Sequence, residues 1–224
     1  TLPALAAEEE EEDPFFGTIS FGYLATTGNT ETTSLDTQAS ATYRTGRWEH
    51  EASGQAFRSS ENKVTNAEYY TARWRSRWDL TERDFLFGRL NWRKDQFGAF
   101  DTQFSQTLGY GRRILTGPKH MLNAEIGAGA RQSEDQIGFK QDETILFGGL
   151  DYVWQFSETA NFSQDFTVEA GDENTFFESK SSVSAQLIGA LSLVASYTIR
   201  SNSDVPIGSE KTDTQTGISL EYKF

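Results

Sequence analysis

The chain has 224 residues, 36% of them hydrophobic, and its 33 acidic against 20 basic residues give a formal net charge of −13. That balance excludes nucleic acid as a partner, because phosphate binding needs a basic surface. No apolar run approaches the about 18 residues of a spanning helix, and with no cysteine there is neither a disulfide framework nor a thiolate site.

The amino-terminal residues 1–7 read TLPALAA, with Ala4-Leu5-Ala6 in the small-x-small pattern of a signal-peptidase site. They are either the remnant of a secretion signal or an ordinary alanine-rich tail. Residues 8–13 are consecutive acids, expected as a solvated, disordered leader. Residues 1–14 are therefore expected to precede a single domain over residues 15–224.

From there period-two alternation recurs to the last residue, and helical periodicity is scarce. It predicts twelve strands, at residues 15–25, 34–44, 47–57, 68–80, 85–95, 103–115, 121–131, 143–156, 160–170, 177–187, 191–200 and 212–224. Half-polar strands in even number suit an all-β, twelve-stranded antiparallel transmembrane barrel, one face on lipid and the other lining a lumen. Short turns are expected at residues 45–46, 81–84, 116–120, 157–159 and 188–190. The other connections, such as residues 59–67, 132–142 and 201–211, read as longer and polar. In outer-membrane barrels short turns are periplasmic, so both termini are expected on the periplasmic side.

Side-chain parity sharpens the assignment. In the fourth strand Tyr70, Ala72, Trp74, Ser76 and Trp78 face one way and Arg73, Arg75 and Arg77 the other. All five tryptophans (Trp48, Trp74, Trp78, Trp92, Trp154) fall on the apolar face. A lipid-facing arginine costs roughly 2–4 kcal/mol at the midplane, so a one-residue slip is strongly disfavoured. Gln106, Gln164, Ser179 and Ser181 break the pattern and mark a bulge, a subunit contact or a misplaced boundary. The last strand, with Gln215, Gly217, Leu220, Tyr222 and the terminal Phe224, looks like the signal by which barrel-assembly machinery recognises its clients. It directs the chain to the bacterial outer membrane.

The lumen face is charged. Strands four to six carry Arg73, Arg75, Arg77, Arg89, Arg93 and Arg113, with Asp79 and Asp95; strands eight and nine carry Glu143, Asp151, Asp165 and Glu169. Two outcomes are open. A basic wall opposite an acidic wall would set a field across a water-filled constriction for small ions or solutes. Alternatively the side chains meet and knit into a plug, since charges inside a barrel need partners. The two histidines, His50 and His120, fall near short turns, away from the outer rim where a barrel hydrolase would need them. No enzymatic activity, cofactor or metal centre is expected. Loop acids (Asp101, Glu134, Asp135, Asp142, Asp172, Glu173, Asp204) read as solvated charge, or else as ligands for divalent cations bridging lipopolysaccharide.

Three stretches carry a family resemblance: GNTETTSLDTQASATYRTGRWEHE from Gly28, LTERDFLFGRLNWRKDQFGAFDTQFSQTLGYGRR from Leu80, and SNSDVPIGSEKTDTQTGISLEYKF from Ser201. They are similar to the family of salt-induced outer-membrane proteins, a group defined by a domain of unknown function. The resemblance implies a β-barrel membrane protein of the Gram-negative cell envelope, in contact with outer-membrane lipid and lipopolysaccharide and linked by name to salt or osmotic response. It implies no activity and no catalytic motif. The expected function is a small passive, porin-like pore or envelope protein. The alternatives are a closed, salt-bridge-plugged structural barrel, a barrel hydrolase and, for the fold, a soluble β sandwich.

Overall fold

A computed structural model of the chain describes residues 13–26 and 31–224. The signal-like residues 1–7 and residues 8–12 of the acidic run lie outside the described residues. Asp13 and Pro14 are no part of a free leader: Asp13 Oδ1 accepts from Phe15 N–H at 3.0 Å, and the Pro14 carbonyl accepts from Arg44 N–H at 2.8 Å.

The described residues form twelve strands: β1 (Phe15–Thr26), β2 (Thr32–Thr45), β3 (Trp48–Glu61), β4 (Val64–Asp79), β5 (Asp84–Asp95), β6 (Phe100–Thr116), β7 (His120–Asp135), β8 (Lys140–Gln155), β9 (Ala160–Gly171), β10 (Thr175–Ile188), β11 (Leu191–Asn202) and β12 (Thr212–Lys223). Each pairs antiparallel with its chain neighbour, and β12 returns to β1 to close the barrel. The predicted strands all recur, but several run longer at the end away from the short turns. The expected loop at residues 59–67 is a tight hairpin whose tip residues, Asn62 (φ 49°) and Lys63 (φ 68°), adopt the left-handed conformation that two-residue β-turns require. β7 and β8 likewise continue to Asp135 and from Lys140, through most of the expected loop at residues 132–142. Polar residues there alternate with polar residues, so hydrophobic parity could not show the extension. Connection length therefore separates the two ends far less than expected.

The wall is inverted relative to a soluble protein. The five tryptophans are 37–46% exposed on the outer surface and Leu108, Ile126 and Leu146 still more, whereas Arg77, Glu125 and Arg131 are buried in the interior. An apolar exterior with charges inside is the pattern of a barrel that faces lipid. Rings gather towards the short-turn end: His50 stacks on Trp48 at 5.6 Å, Trp48 on Trp78 at 6.2 Å, and His120 on Tyr152 and Trp154 at 6.1 Å. Amphipathic rings prefer the membrane–water interface. His120 opens β7 rather than sitting in a turn. The irregular parity of β9 and β10 has a local cause: Gln164 donates to Ser179 Oγ at 2.9 Å and accepts from Ser181 Oγ at 2.5 Å. These outward polar groups satisfy one another, so neither a bulge nor a wrong boundary is needed.

Part of the interior is packed with aromatic rings over glycines. Phe85 and Phe87 on β5 lie opposite Gly111 and Gly109 on β6. A Cβ at Gly109 would stand 2.6 Å from the Phe87 ring, and one at Gly111 would overlap Phe85. Phe147 fits edge-on to Phe87, ring centres 5.6 Å apart. Inward phenylalanine beside cross-strand glycine fills the lumen without distorting the ladder.

Outer and inner faces should tolerate charge very differently. Leu108→Arg, on the lipid side, is expected to destabilise the barrel by roughly 2–4 kcal/mol against Leu108→Ala. Denaturant unfolding of the protein refolded into lipid vesicles measures it.

Candidate functional site in the barrel lumen

Inward positions of β3, β4, β5, β7 and β8 build one ionic cluster near the short-turn end. Arg75 reaches Glu51 at 2.5 Å, Asp151 at 3.0 Å and Glu125 at 3.6 Å. Arg77 reaches Glu49 at 3.2 Å, Asp151 at 3.3 Å and Glu125 at 3.5 Å, and Arg89 reaches Glu125 at 3.1 Å. The Glu125 carboxylate, 2% exposed, is thus shared by three guanidinium groups. Two of them also lie over rings, Arg77 on Phe85 at 4.9 Å and Arg89 on Phe147 at 4.8 Å. Such cation–π contacts gain strength where water is excluded.

A second cluster lies nearer the other end. Arg131 is almost fully buried and reaches Glu143 at 2.7 Å, Glu169 at 3.4 Å and the Asn174 carbonyl at 2.5 Å. Ser105 Oγ donates to Glu169 at 2.9 Å. Between the clusters, contacts cross the barrel. Arg73 on β4 binds Glu178 at 2.6 Å on β10, the strand diametrically opposite in a ring of twelve. Glu178 is held from behind by Arg200 on β11, also at 2.6 Å. Tyr69 lies under both Arg93 (4.2 Å) and Arg200 (5.2 Å), and its hydroxyl donates to Gln215 on β12. Lys180 on β10 donates to Gln38 Oε1 on β2 at 3.1 Å.

What space remains is divided. Cavities of about 60, 240 and 200 Å³ occupy the lumen, and Arg73 and Glu178 line all three. The 240 Å³ cavity lies to one side, along the hydroxyl- and amide-rich faces of β1, β2, β3, β11 and β12, with Ser20, Gln38, Gln55, Thr198 and Gln215 among its lining. The salt-bridged pair is therefore a partition between compartments.

The predicted walls do not stand apart as two opposed surfaces. Of the predicted basic wall, only Arg75 and Arg77 meet a member of the predicted acidic wall, Asp151, among the described residues. Glu143 and Glu169 instead pair with Arg131 on the adjoining strand β7. Arg93 pairs with Asp95 of its own strand at 2.5 Å, and Arg113 with Asp79 at 2.8 Å. Asp165 faces the lumen beside Asp151, with no ion pair within 4.0 Å among the described residues. The reason is interdigitation: β3, β7 and β10 bring Glu49, Glu51, Glu125 and Glu178 into the arginine-rich sector. These acids, with Arg131 and Arg200, are the members missed when sequence reasoning grouped charge by neighbouring strands. Inward parity was the signal that could have found them.

Of the terminal signal residues, Gln215 points inward to Tyr69, while Leu220, Tyr222 and Phe224 are exposed on the outer wall. His50 Nδ1 lies 2.9 Å from Ser76 Oγ and His120 Nδ1 2.9 Å from Tyr152 Oη, both outside the lumen. Among the loop acids, Asp101 pairs with Lys94 at 3.6 Å, Glu134 pairs with Lys140 at 3.6 Å, and Asp135 holds turn amides. Among the described residues no group of three or more His, Asp or Glu is arranged to hold a metal ion.

Residues 19–224 match the model of the family described as "Protein of unknown function, DUF481". The chain is 33% identical over 214 residues to "Uncharacterized protein YdiY" of Escherichia coli (strain K12), an alignment spanning 94% of this chain and 84% of the relative. Among solved structures it is similar to an outer membrane channel from Pseudomonas putida F1, with TM-score 0.56, 11% identity, and 94% of this chain and 95% of that one covered. It is also similar to the translocator domain of autotransporter NalP from Neisseria meningitidis, with TM-score 0.53, 14% identity, and 96% and 90% covered. At these identities the two structures bear on fold alone: the architecture is that of outer-membrane β-barrels.

The shared carboxylate is expected to dominate stability. Glu125→Gln leaves three buried guanidinium groups short of their counter-charge and is expected to cost about 3–5 kcal/mol. Glu134→Gln, in an exposed pair, is expected to cost less than about 1 kcal/mol. Guanidinium unfolding midpoints of the refolded variants distinguish the two.

Proposed function

The chain belongs to the DUF481 family, and on that premise we propose that it is a barrel of the bacterial outer membrane whose lumen is sealed at rest. The observation that carries this reading is the Arg73–Glu178 bridge at 2.6 Å, which joins opposite strands and forms a common wall of three internal cavities. Inside the barrel a guanidinium–carboxylate pair is screened less than in bulk water, and Arg200 keeps Glu178 in place. Residence in the outer membrane is supported by the apolar exterior, the girdle of rings and the aromatic terminal strand. The chain ends of β1 and β12 lie at the short-turn end, Gly17 and Phe224 exchanging backbone bonds of 2.9 and 3.0 Å, which supports a periplasmic position for both termini. Barrel-assembly machinery and lipopolysaccharide are the partners this location supplies. A part in the envelope's response to salt or osmotic stress rests on the resemblance of the three sequence stretches. No hydrolytic chemistry is assigned: both histidines are held among rings on the outer wall.

A second reading, a small gated pore, is favoured by one observation. The Arg73 side chain is 44% exposed and holds to Glu178 from one side only, whereas Glu178 also has Arg200. Withdrawing Arg73 would join the polar cavities without leaving Glu178 unpaired.

Planar-bilayer recording separates the readings. The native protein is expected to show no stable current steps across salts and voltages, and Arg73→Ala is expected to produce them. Stable steps from the native protein would overturn the sealed lumen. Silence from both proteins would remove the gated pore and leave a purely structural barrel.

A further inference from the structure

The weakest join in the barrel is the one that closes it. β1 and β12 share four ladder pairs, from Thr18↔Lys223 to Phe21↔Leu220. Every other ladder runs to eleven pairs or more, as between β4 and β5 or β8 and β9. Reciprocal backbone bonds between Gly17 and Phe224 extend the seam at its short-turn end. At the other end the strands still touch at Gly22, where a Cβ would stand 2.7 Å from the Ile218 carbonyl oxygen. Beyond it the ladder stops. Residues 23–26 keep their pairing to β2, and residues 212–217 keep theirs to β11, but neither stretch is laddered to the other across the seam.

Three features surround this gap. Tyr23 on the outer face of β1 is 61% exposed and Ile218 on β12 is 67% exposed, so the outer lip is apolar. Leu24 falls on the inward parity of Ser20 and Gly22 yet is also 61% exposed, which puts an apolar residue on the inner lip. The 240 Å³ polar cavity lies behind the laddered part of the seam, at Thr18, Ser20 and Glu221, and reaches the gap at Gln215. Three cations and three acids line it: Arg73 and Arg200 are both committed to Glu178, Asp36 and Glu221 are the other acids, and Lys180 is the cation outside that pairing. Lys180 bonds Gln38, the ladder neighbour of Ser20, and has no carboxylate within 4.0 Å among the described residues. Asp165 lines the adjoining cavity with Lys180 but is beyond ion-pair distance.

We propose that the β1–β12 seam is a lateral portal for a phospholipid, whose phosphate reaches Lys180 while its acyl chains stay outside between Tyr23 and Ile218. The unladdered stretch begins where the outward residues of β12 change from Ile218 to Thr216 and Thr214, at the margin of the apolar band, so its open backbone groups face the headgroup layer and suit a polar occupant. Phosphate and ester oxygens accept from the free N–H groups, and the apolar lips accommodate the chains. A lysine ammonium is a common phosphate ligand. The cavity is smaller than the ~300–1,000 Å³ of sites that enclose a whole drug-sized ligand, so it admits a headgroup and not an entire lipid. This goes beyond the sealed axial lumen, because a lateral path bypasses the Arg73–Glu178 partition from the side.

The chain has no cysteine, so the seam can be stapled cleanly. Ala25→Cys and Thr216→Cys stand opposite one another in the continued register of the ladder, and dibromobimane bridges them. A benzophenone amino acid at position 196, whose native serine lines the cavity, captures what enters. In vesicles of phosphatidylethanolamine and phosphatidylglycerol, illumination is expected to give a phospholipid adduct by mass spectrometry. Stapling is expected to reduce it by about tenfold or more, and Lys180→Gln to reduce it several-fold. No adduct on the open protein, or an adduct insensitive to both changes, overturns the portal. Where the bridge does not form, the Lys180→Gln comparison decides alone. Conductance reads the axial seal separately, so the two proposals fail independently.

Discussion

A sheet that meets lipid on its outside has no water there with which to satisfy polar groups, and the rest of this structure follows from that constraint. Backbone N–H and C=O groups must be paired around the whole ring, which is why twelve strands close on themselves. Charged side chains must turn inward, where a narrow lumen forces them together. With nine arginines among the ion-paired inward residues of β4, β5, β6, β7, β11 and β2, acids have to come from across the barrel as well as from the next strand.

The interior solves this by mixing two kinds of packing. Phenylalanines seated against glycines fill the sector of β5, β6 and β8, and the arginines lie over those rings while binding carboxylates. The opposite sector, on β1, β2, β3, β11 and β12, carries mostly serine, threonine and glutamine, which are too short to fill it. A polar chamber of about 240 Å³ therefore remains on that side. A lumen of this kind is an ionic scaffold with an off-centre polar chamber, different from a wide water-filled channel with charged rings.

Much of this was legible along the chain. Period-two alternation located all twelve strands, because a wall with lipid on one face and a polar interior writes itself into every second residue. The same parity put Arg73, Arg75 and Arg77 inside and the tryptophans outside. Errors arose where alternation lost contrast. The β3–β4 and β7–β8 hairpins extend through polar residues, and the tip at Asn62 and Lys63 gives no composition signal as clear as Asn-Gly. The outward Gln164, Ser179 and Ser181 looked like a fault in parity, but hydrogen bonds between adjacent strands explain them.

The sequence by itself determined the barrel class, the strand count, the direction of each side chain and the charged character of the lumen, since all of these are local and periodic. Only the tertiary structure decided which charges meet. Arg73 and Glu178 are separated by 105 positions, and their bridge depends on how the strands stagger around the ring, a property that no single strand encodes. The same holds for the seam. The alternation of TQTGISLEYKF announces a strand, but how far that strand zips to β1 depends on closing the whole circle, and the closure stops at Phe21 and Leu220.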